Sequence, residues 1–291
     1  MYTAIAANKR KTVLIMAIFV AIIGALGWIF SGLYGTYDYL YLALVVSAVY
    51  ALIQYFAAAK LALAVNGAQE VTKKEQPRLY RTVENLSIAT GMTMPKVYII
   101  DDPAPNAFAT GRDPQHAVVC ATTGLLDMMN DSELEAVMAH ELGHVQNYDI
   151  RVMMIVFGLV STIAFLADIM LRLMWWGGND RDRNASPIFL ILGIAAAILA
   201  PIVATLVQLA VSRQREYLAD GTAVMTTRYA EGLISALQKI RDHGSGMKRQ
   251  NTATAHLFFA NPLKKSFAGL LSTHPPIELR IERLKAMGNQ L

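Results

Sequence analysis

The chain has 291 residues, enough for one ordinary domain plus further elements, and it is 54% hydrophobic with only 16% charged residues. A soluble domain carries about a quarter charged residues, so part of the apolar excess is expected to face lipid. The net charge of +4 comes without a basic–aromatic platform or a recognition motif, which argues against nucleic acid as a partner. The single cysteine, Cys120, excludes an intramolecular disulfide and a cysteine-based metal site.

Four apolar stretches organise the chain. Residues 13–30 carry no charge and are long enough to cross a bilayer, which takes roughly 20 residues. Their flank, with Lys9, Arg10 and Lys11, is basic like that of a signal peptide. The run nevertheless exceeds a signal core of about 7–15 residues, so an uncleaved anchor is expected. Residues 39–59 form the second stretch, with Tyr39, Tyr41, Tyr50 and Tyr55 toward its ends as interfacial aromatics often are. Residues 152–176 form the third, interrupted by Asp168 and Arg172, whose spacing would let them pair on a helix. Residues 188–211 form the fourth, opened by Pro187, which suits a helix start.

Lysine and arginine set the expected orientation. Lys60, Lys73, Lys74 and Arg78 follow the second stretch, Arg151 precedes the third, and Arg213 and Arg215 follow the fourth. The loop 31–38 has no basic residue, and in the loop 177–186 Arg181 and Arg183 are offset by Asp180 and Asp182. Four transmembrane helices with the N-terminus and both soluble parts on the cytoplasmic side are therefore expected. The organisation reads as a membrane region at 1–59, soluble segments at 60–150 and 212–291, and a second membrane region at 151–211.

The first soluble segment has the pattern of a folded domain. Residues 77–90 read as an amphipathic helix with Leu79, Val83, Leu86 and Ile88 on one side and Gly91 near the end. Residues 95–100 read as a strand, 102–105 as a turn, and 107–111 and 116–122 as two short strands joined through Arg112-Asp113-Pro114. Cys120 falls in the second of these, where a buried strand residue is expected. Ser132 and Glu135 have the spacing of a capping box, so a helix is expected to start there and run on through residue 144. The fold class is mainly α with a small β-sheet.

That helix carries His140-Glu141-Leu142-Gly143-His144. Two histidines four residues apart lie about 40° apart around a helix axis, so both rings can reach one Zn²⁺. Glu141, about 100° from His140, can reach a water at that metal without ligating it, which makes it the general base of an H-E-x-x-H site. A catalytic zinc uses three protein ligands and a water. After the fourth apolar stretch, Glu216 and Asp220 share a helix face at the same spacing. One carboxylate could bind the metal and the other could accept the free ring N–H of a ligand histidine. His116, His243 and His256 read as surface or turn residues.

The motif at 140–144 followed by Glu216-x-x-x-Asp220, together with Pro105-Asn106-Ala107-Phe108-Ala109-Thr110-Gly111 and Ser272-Thr273-His274-Pro275-Pro276-Ile277-Glu278-Leu279-Arg280, resembles the HtpX-type zinc metallopeptidases, relatives of the CAAX prenyl-protein endopeptidases. The resemblance covers almost the whole chain. It implies a zincin-like catalytic domain on the cytoplasmic side of a bacterial inner membrane, with His140, His144 and Glu216 as zinc ligands, Glu141 as the catalytic base and Asp220 as the partner of a ligand histidine. It further implies that Asn106, Ala107, Phe108 and Ala109 receive substrate backbone on an edge strand. His274 would approach the active site, stabilising an oxyanion or taking a fourth position on the zinc. The implied reaction is peptide-bond hydrolysis, with protein or peptide substrates and, by resemblance, misfolded or damaged membrane proteins among them. The alternatives are a transporter using Asp168, Arg172 and Gln208, which are too few and too terminal for a pathway, and a scaffold without activity, which leaves Glu141 unexplained.

Overall fold

The computed structural model describes residues 2–34, 36–159, 213–249, 254–260 and 275–288. Most of the third apolar stretch, all of the fourth, Asp168, Arg172, Gln208 and His274 lie outside these residues.

Two long helices, α1 (Tyr2–Tyr34) and α2 (Asp38–Asn66), pack along each other as a hairpin. Phe19 of α1 meets Tyr50 of α2 with ring centroids 6.3 Å apart, and Ser31 Oγ accepts the Leu40 N–H. Helix α2 continues past the expected end at residue 59 to Asn66. There Gly67, at φ 69°, takes the left-handed conformation that closes the last turn. The described residues contain one helical run, Leu40–Asn66, long and apolar enough by length and composition to cross a membrane.

A four-stranded mixed sheet follows, built from β1 (Gln69–Glu70), β2 (Lys96–Ile100), β3 (Ala107–Gly111) and β4 (Ala117–Thr122) in the order β1-β2-β4-β3. β2 and β4 are parallel, and the other two pairings are antiparallel. Every residue of β3 and β4 is buried, because both faces of the sheet are covered. Successive side chains point to opposite faces. Ala107, Ala109, Ala117, Val119 and Ala121 thus face the helical core, while Phe108, Val118 and Cys120 pack against the end of α2 and the helical segment 149–159. Cys120 is the buried strand residue its surroundings suggested.

The helical layer comprises α3 (Pro77–Thr90), the short α4 (Thr123–Met128), α5 (Asp131–Gln146), α6 (Arg213–Thr227), α7 (Ala230–His243) and α8 (Ile277–Gly288). In α3, Leu79, Val83 and Leu86 are buried as their spacing requires, and Gly91 closes the helix at φ 67°. Ile88, expected on that face, is 76% exposed: at about 100° per residue it lies about 160° around the axis from Leu86 and about 180° from Leu79, on the opposite face of the helix.

The start of α5 differs from the expected register. The capping box is formed by Asn130 and Glu133, not by Ser132 and Glu135. Asn130 Oδ1 accepts the Glu133 N–H at 2.9 Å and Glu133 Oε2 accepts the Asn130 N–H at 2.8 Å. Ser132 already sits in the first turn, its hydroxyl on Asn130 Oδ1. Tertiary partners decided between the two boxes, since Glu133 also meets Ser235 and Lys239 of α7, whereas Glu135 has no such neighbour among the described residues. His256 also departs from expectation. It is buried, in a 3₁₀ turn (Ala255–Leu257), with Nε2 3.2 Å from the Met153 carbonyl oxygen, because the segment around it is pulled onto the sheet.

Candidate metal centre

Helix α5 lies between the sheet and α6, and Gly143 lets α6 come close. A Cβ at residue 143 would stand 3.3 Å from both Ala219 Cα and Thr222 Cβ, tighter than ordinary side-chain contact. On the other side the alanines of β3 leave room for the α5 backbone. A helix bearing two histidines is thereby pressed between an edge strand and a helix bearing Glu216.

His140 and His144 are buried, their Nε2 atoms are 3.2 Å apart, and their rings cross at 89°. Glu216 Oε2 lies 3.8 Å from His140 Nε2, and Oε1 lies 3.4 Å from His144 Nε2. One ligand atom from each of the three lies within 4.8 Å of the others, so the group could hold a metal ion. Donors about 2.0–2.1 Å from a tetrahedral zinc stand about 3.3 Å apart, which these separations approach. Two imidazole nitrogens and a carboxylate also form the donor chemistry of a catalytic zinc site.

Both Nδ1 atoms are occupied by carboxylates. Asp220 Oδ1 is 2.9 Å from His140 Nδ1, and Asp149 Oδ2 is 3.0 Å from His144 Nδ1. Asp220 is held in turn by Arg280 of α8, which donates to both of its oxygens at 2.9 and 2.6 Å. Arg280 is buried, with NH1 3.7 Å from Glu216 Oε2 and its guanidinium 4.9 Å from the Phe259 ring.

These neighbours split the two histidines electrostatically. Burial, with Arg280 beside it, lowers the His140 pKa to about 4 despite Asp220. Burial works the same way on His144, but hydrogen bonds and charge from Asp149 and Glu216 outweigh it and raise the value to about 10. The metal-free cluster therefore holds a proton on His144, which a bound cation would displace. Glu141 is buried on the sheet side, where burial raises its pKa to about 7 although its carboxylate accepts the Ala109 N–H.

Ala109 belongs to the outer edge of β3, and that edge is partly occupied. Phe258 bridges Phe108 in the antiparallel sense, and the Phe259 N–H donates to the Ala107 carbonyl at 2.7 Å. Asn106 grips the same segment by both ends of its amide, donating to Ala260 O at 2.8 Å and accepting from Ala260 N at 3.0 Å. The Phe259 ring rests 5.0 Å from His140.

Of the expected site residues, the structure brings His140, Glu141, His144, Glu216 and Asp220 together; Ala109 bonds Glu141, Asn106 and Ala107 bond the segment 259–260, and Phe108 faces the other side of the sheet. Three residues went unassigned in the sequence. Asp149 has no motif spacing that would reveal it. Arg280 lies at the end of the stretch 272–280, where spacing alone gives it no partner. Arg215, expected among the basic residues flanking the fourth apolar stretch, is buried with NH1 3.8 Å from Asp149 Oδ1.

Residues 73–288 match the family model described as peptidase family M48. The chain is 53% identical over 291 residues to a protease HtpX homolog of Tropheryma whipplei, covering 100% of this chain and 99% of that protein. It is 46% identical to a protease HtpX homolog of Ligilactobacillus salivarius, covering 99% of this chain and all of the relative. Among solved structures, the S. mikatae Ste24p crystal structure aligns with a TM-score of 0.53 over 98% of this chain and 67% of that one, at 20% identity, a likeness of fold alone.

Proposed function

Given that the chain belongs to peptidase family M48 and is a metalloprotease, we propose that it is a zinc-dependent endopeptidase of the bacterial inner membrane that acts in quality control of misfolded or damaged membrane proteins. The observation that carries the reading is the convergence of His140, His144 and Glu216 beside a buried glutamate on the edge of a strand. In this reading those three side chains hold the zinc, and Asp220 and Asp149 fix the two rings through Nδ1. When bound, zinc supplies a Lewis acid that polarises a peptide carbonyl and acidifies a water.

Glu141 is the general base. A carboxyl whose pKa burial has raised to about 7 can both take a proton and give it back near neutral pH, so the same oxygen serves attack and the departure of the amine. The Ala109 N–H bonded to it keeps it aimed along the strand edge. An extended peptide would pair with β3, which gives backbone-driven recognition with little sequence preference. Pairing along the whole strand requires residues 258–260 to give way at Asn106–Phe108. His274 is assigned to the same site, as an oxyanion donor or a further ligand.

Membrane embedding is supported by α2, where Leu42, Val45, Val49, Leu52, Ile53 and Phe56 are all more than half exposed. An apolar surface of that extent calls for lipid or a partner. The basic residues at 9–11 and at Lys73, Lys74 and Arg78 after α2 support a cytoplasmic catalytic part.

The test compares the detergent-purified protein with its Glu141→Gln variant on an unfolded casein-like substrate, with zinc content measured in both. Zinc in both and a loss of cleavage of about 10²-fold or more in the variant is the expected outcome. Failure of the wild type to hold zinc under metal-preserving conditions would sink the reading.

A further inference from the structure

The second ligand histidine depends on a residue far outside the matched region. Helix α5 ends at Gln146, and in an unbroken helix residue 149 would stand about 140° around the axis from His144, out of reach. Tyr148 prevents that continuation. It adopts φ 60°, a left-handed conformation rare for a bulky side chain, and the turn at 147–148 folds Asp149 back onto His144 Nδ1 at 3.0 Å. Lys9 of α1 and Arg151 stack over the Tyr148 ring at 4.8 and 4.9 Å, bracing the turn.

Asp149 is fully buried, and its other oxygen is held by α1. Asn8 Nδ2 donates to Asp149 Oδ1 at 2.7 Å and to the Asn147 carbonyl at 2.8 Å. Asn8 is itself only 4% exposed. The two rings are thus supported in parallel ways: His140 by Asp220 backed by Arg280, and His144 by Asp149 backed by Asn8. The first support lies wholly within residues 73–288; the second draws on the N-terminal helix.

We propose that Asn8 and Asp149 are positioning residues of the metal centre, through which α1 holds the His144 ring in its ligating orientation, so that metal affinity depends on the seating of that helix. The proposal rests on the metallopeptidase reading above. A carboxylate fixed on one side by an amide can offer its second oxygen to Nδ1 in a single geometry. Without the amide it is free to turn toward Arg215, 3.8 Å away, and the ring loses its anchor.

The experiment measures zinc affinity by chelator competition on full-length detergent-purified protein, alongside the thermal midpoint of the metal-free form. The variants are Asp149→Asn, Asn8→Ala, the near-isosteric Asn8→Leu, and the double variant Asn8→Ala with Asp149→Asn. Each single variant is expected to weaken zinc binding by about 10-fold or more, and Asn8→Ala is expected to add nothing once Asp149 is changed. A residue that only capped the carbonyl of Asn147 would lower the metal-free midpoint and give losses that add. Wild-type zinc affinity in either folded Asn8 variant, or additive losses, overturns the proposal while leaving the metallopeptidase reading in place. A wild type that holds no zinc overturns both.

Discussion

Arg280 is the counter-charge of the buried Asp220, whose other neighbour, His140, is uncharged near neutral pH. Its guanidinium bonds both oxygens of Asp220, a planar fork that an ammonium cannot reproduce. Replacing Arg280 by Ala leaves a buried acid without its counter-charge and is expected to cost about 3–5 kcal/mol. Arg280→Lys, which keeps the charge and loses one bond, should fall between the variant and the wild type. Denaturant unfolding of the metal-free protein orders the three; an Arg280→Ala protein as stable as wild type would show that Asp220 finds another partner.

Among the elements, α5 is fixed at both ends and along one side. At its start Glu133 serves the capping box and also binds Ser235 and Lys239 of α7. Burial would raise its pKa, but these partners outweigh that and hold it below the usual glutamate value. A folded-state pKa below the unfolded one contributes stability that is present above the unfolded value and is lost as the pH falls through the folded value. Glu133→Gln keeps the cap but not the charge, so it is expected to cost about 2 kcal/mol at pH 7. The deficit should shrink as wild type and variant are compared at pH values falling below the ordinary glutamate range, and a constant deficit would assign it to packing. Along its side, α5 meets α6 at Gly143. A Gly143→Ala methyl at 3.3 Å from two atoms must move α6 by a few tenths of an ångström, carrying Glu216 with it. Weaker zinc binding with little change in metal-free stability is expected, measured by chelator competition.

At the scale of the whole molecule, a metal held by His140, His144 and Glu216 would tie together parts that are distant in sequence. Its three candidate ligands come from α5 and α6, which residues 147–212 separate in the chain, and their supports include residues of α1 and α8. A ligand that binds only the folded state stabilises it by about 4 kcal/mol at a thousandfold excess over its dissociation constant. Zinc is therefore expected to raise the thermal midpoint of the whole protein, and a chelator to lower it and abolish proteolysis until zinc is restored. A chelator with no effect on the midpoint would mean that the metal does not bridge these parts.

The sequence by itself determined the local features whose physics is local. Histidines four apart on a helix must share a face, β-branched residues at 96–100 pair as a strand, and a glycine after residue 90 ends its helix. Glu216 and Asp220 could be recognised by the same spacing, although geometry was needed to place Asp220 on His140 and Glu216 between both rings. Tertiary structure alone decided the rest. Choosing Asn130 over Ser132 as the cap turned on Lys239 and Ser235, which lie about a hundred positions away. Burial of Arg215 and His256 followed from what folds over them, and the roles of Asn8, Asp149 and Arg280 arise from contacts between remote helices. Side-chain spacing encodes which faces a helix presents, but the partner on each face is set by how the whole chain packs.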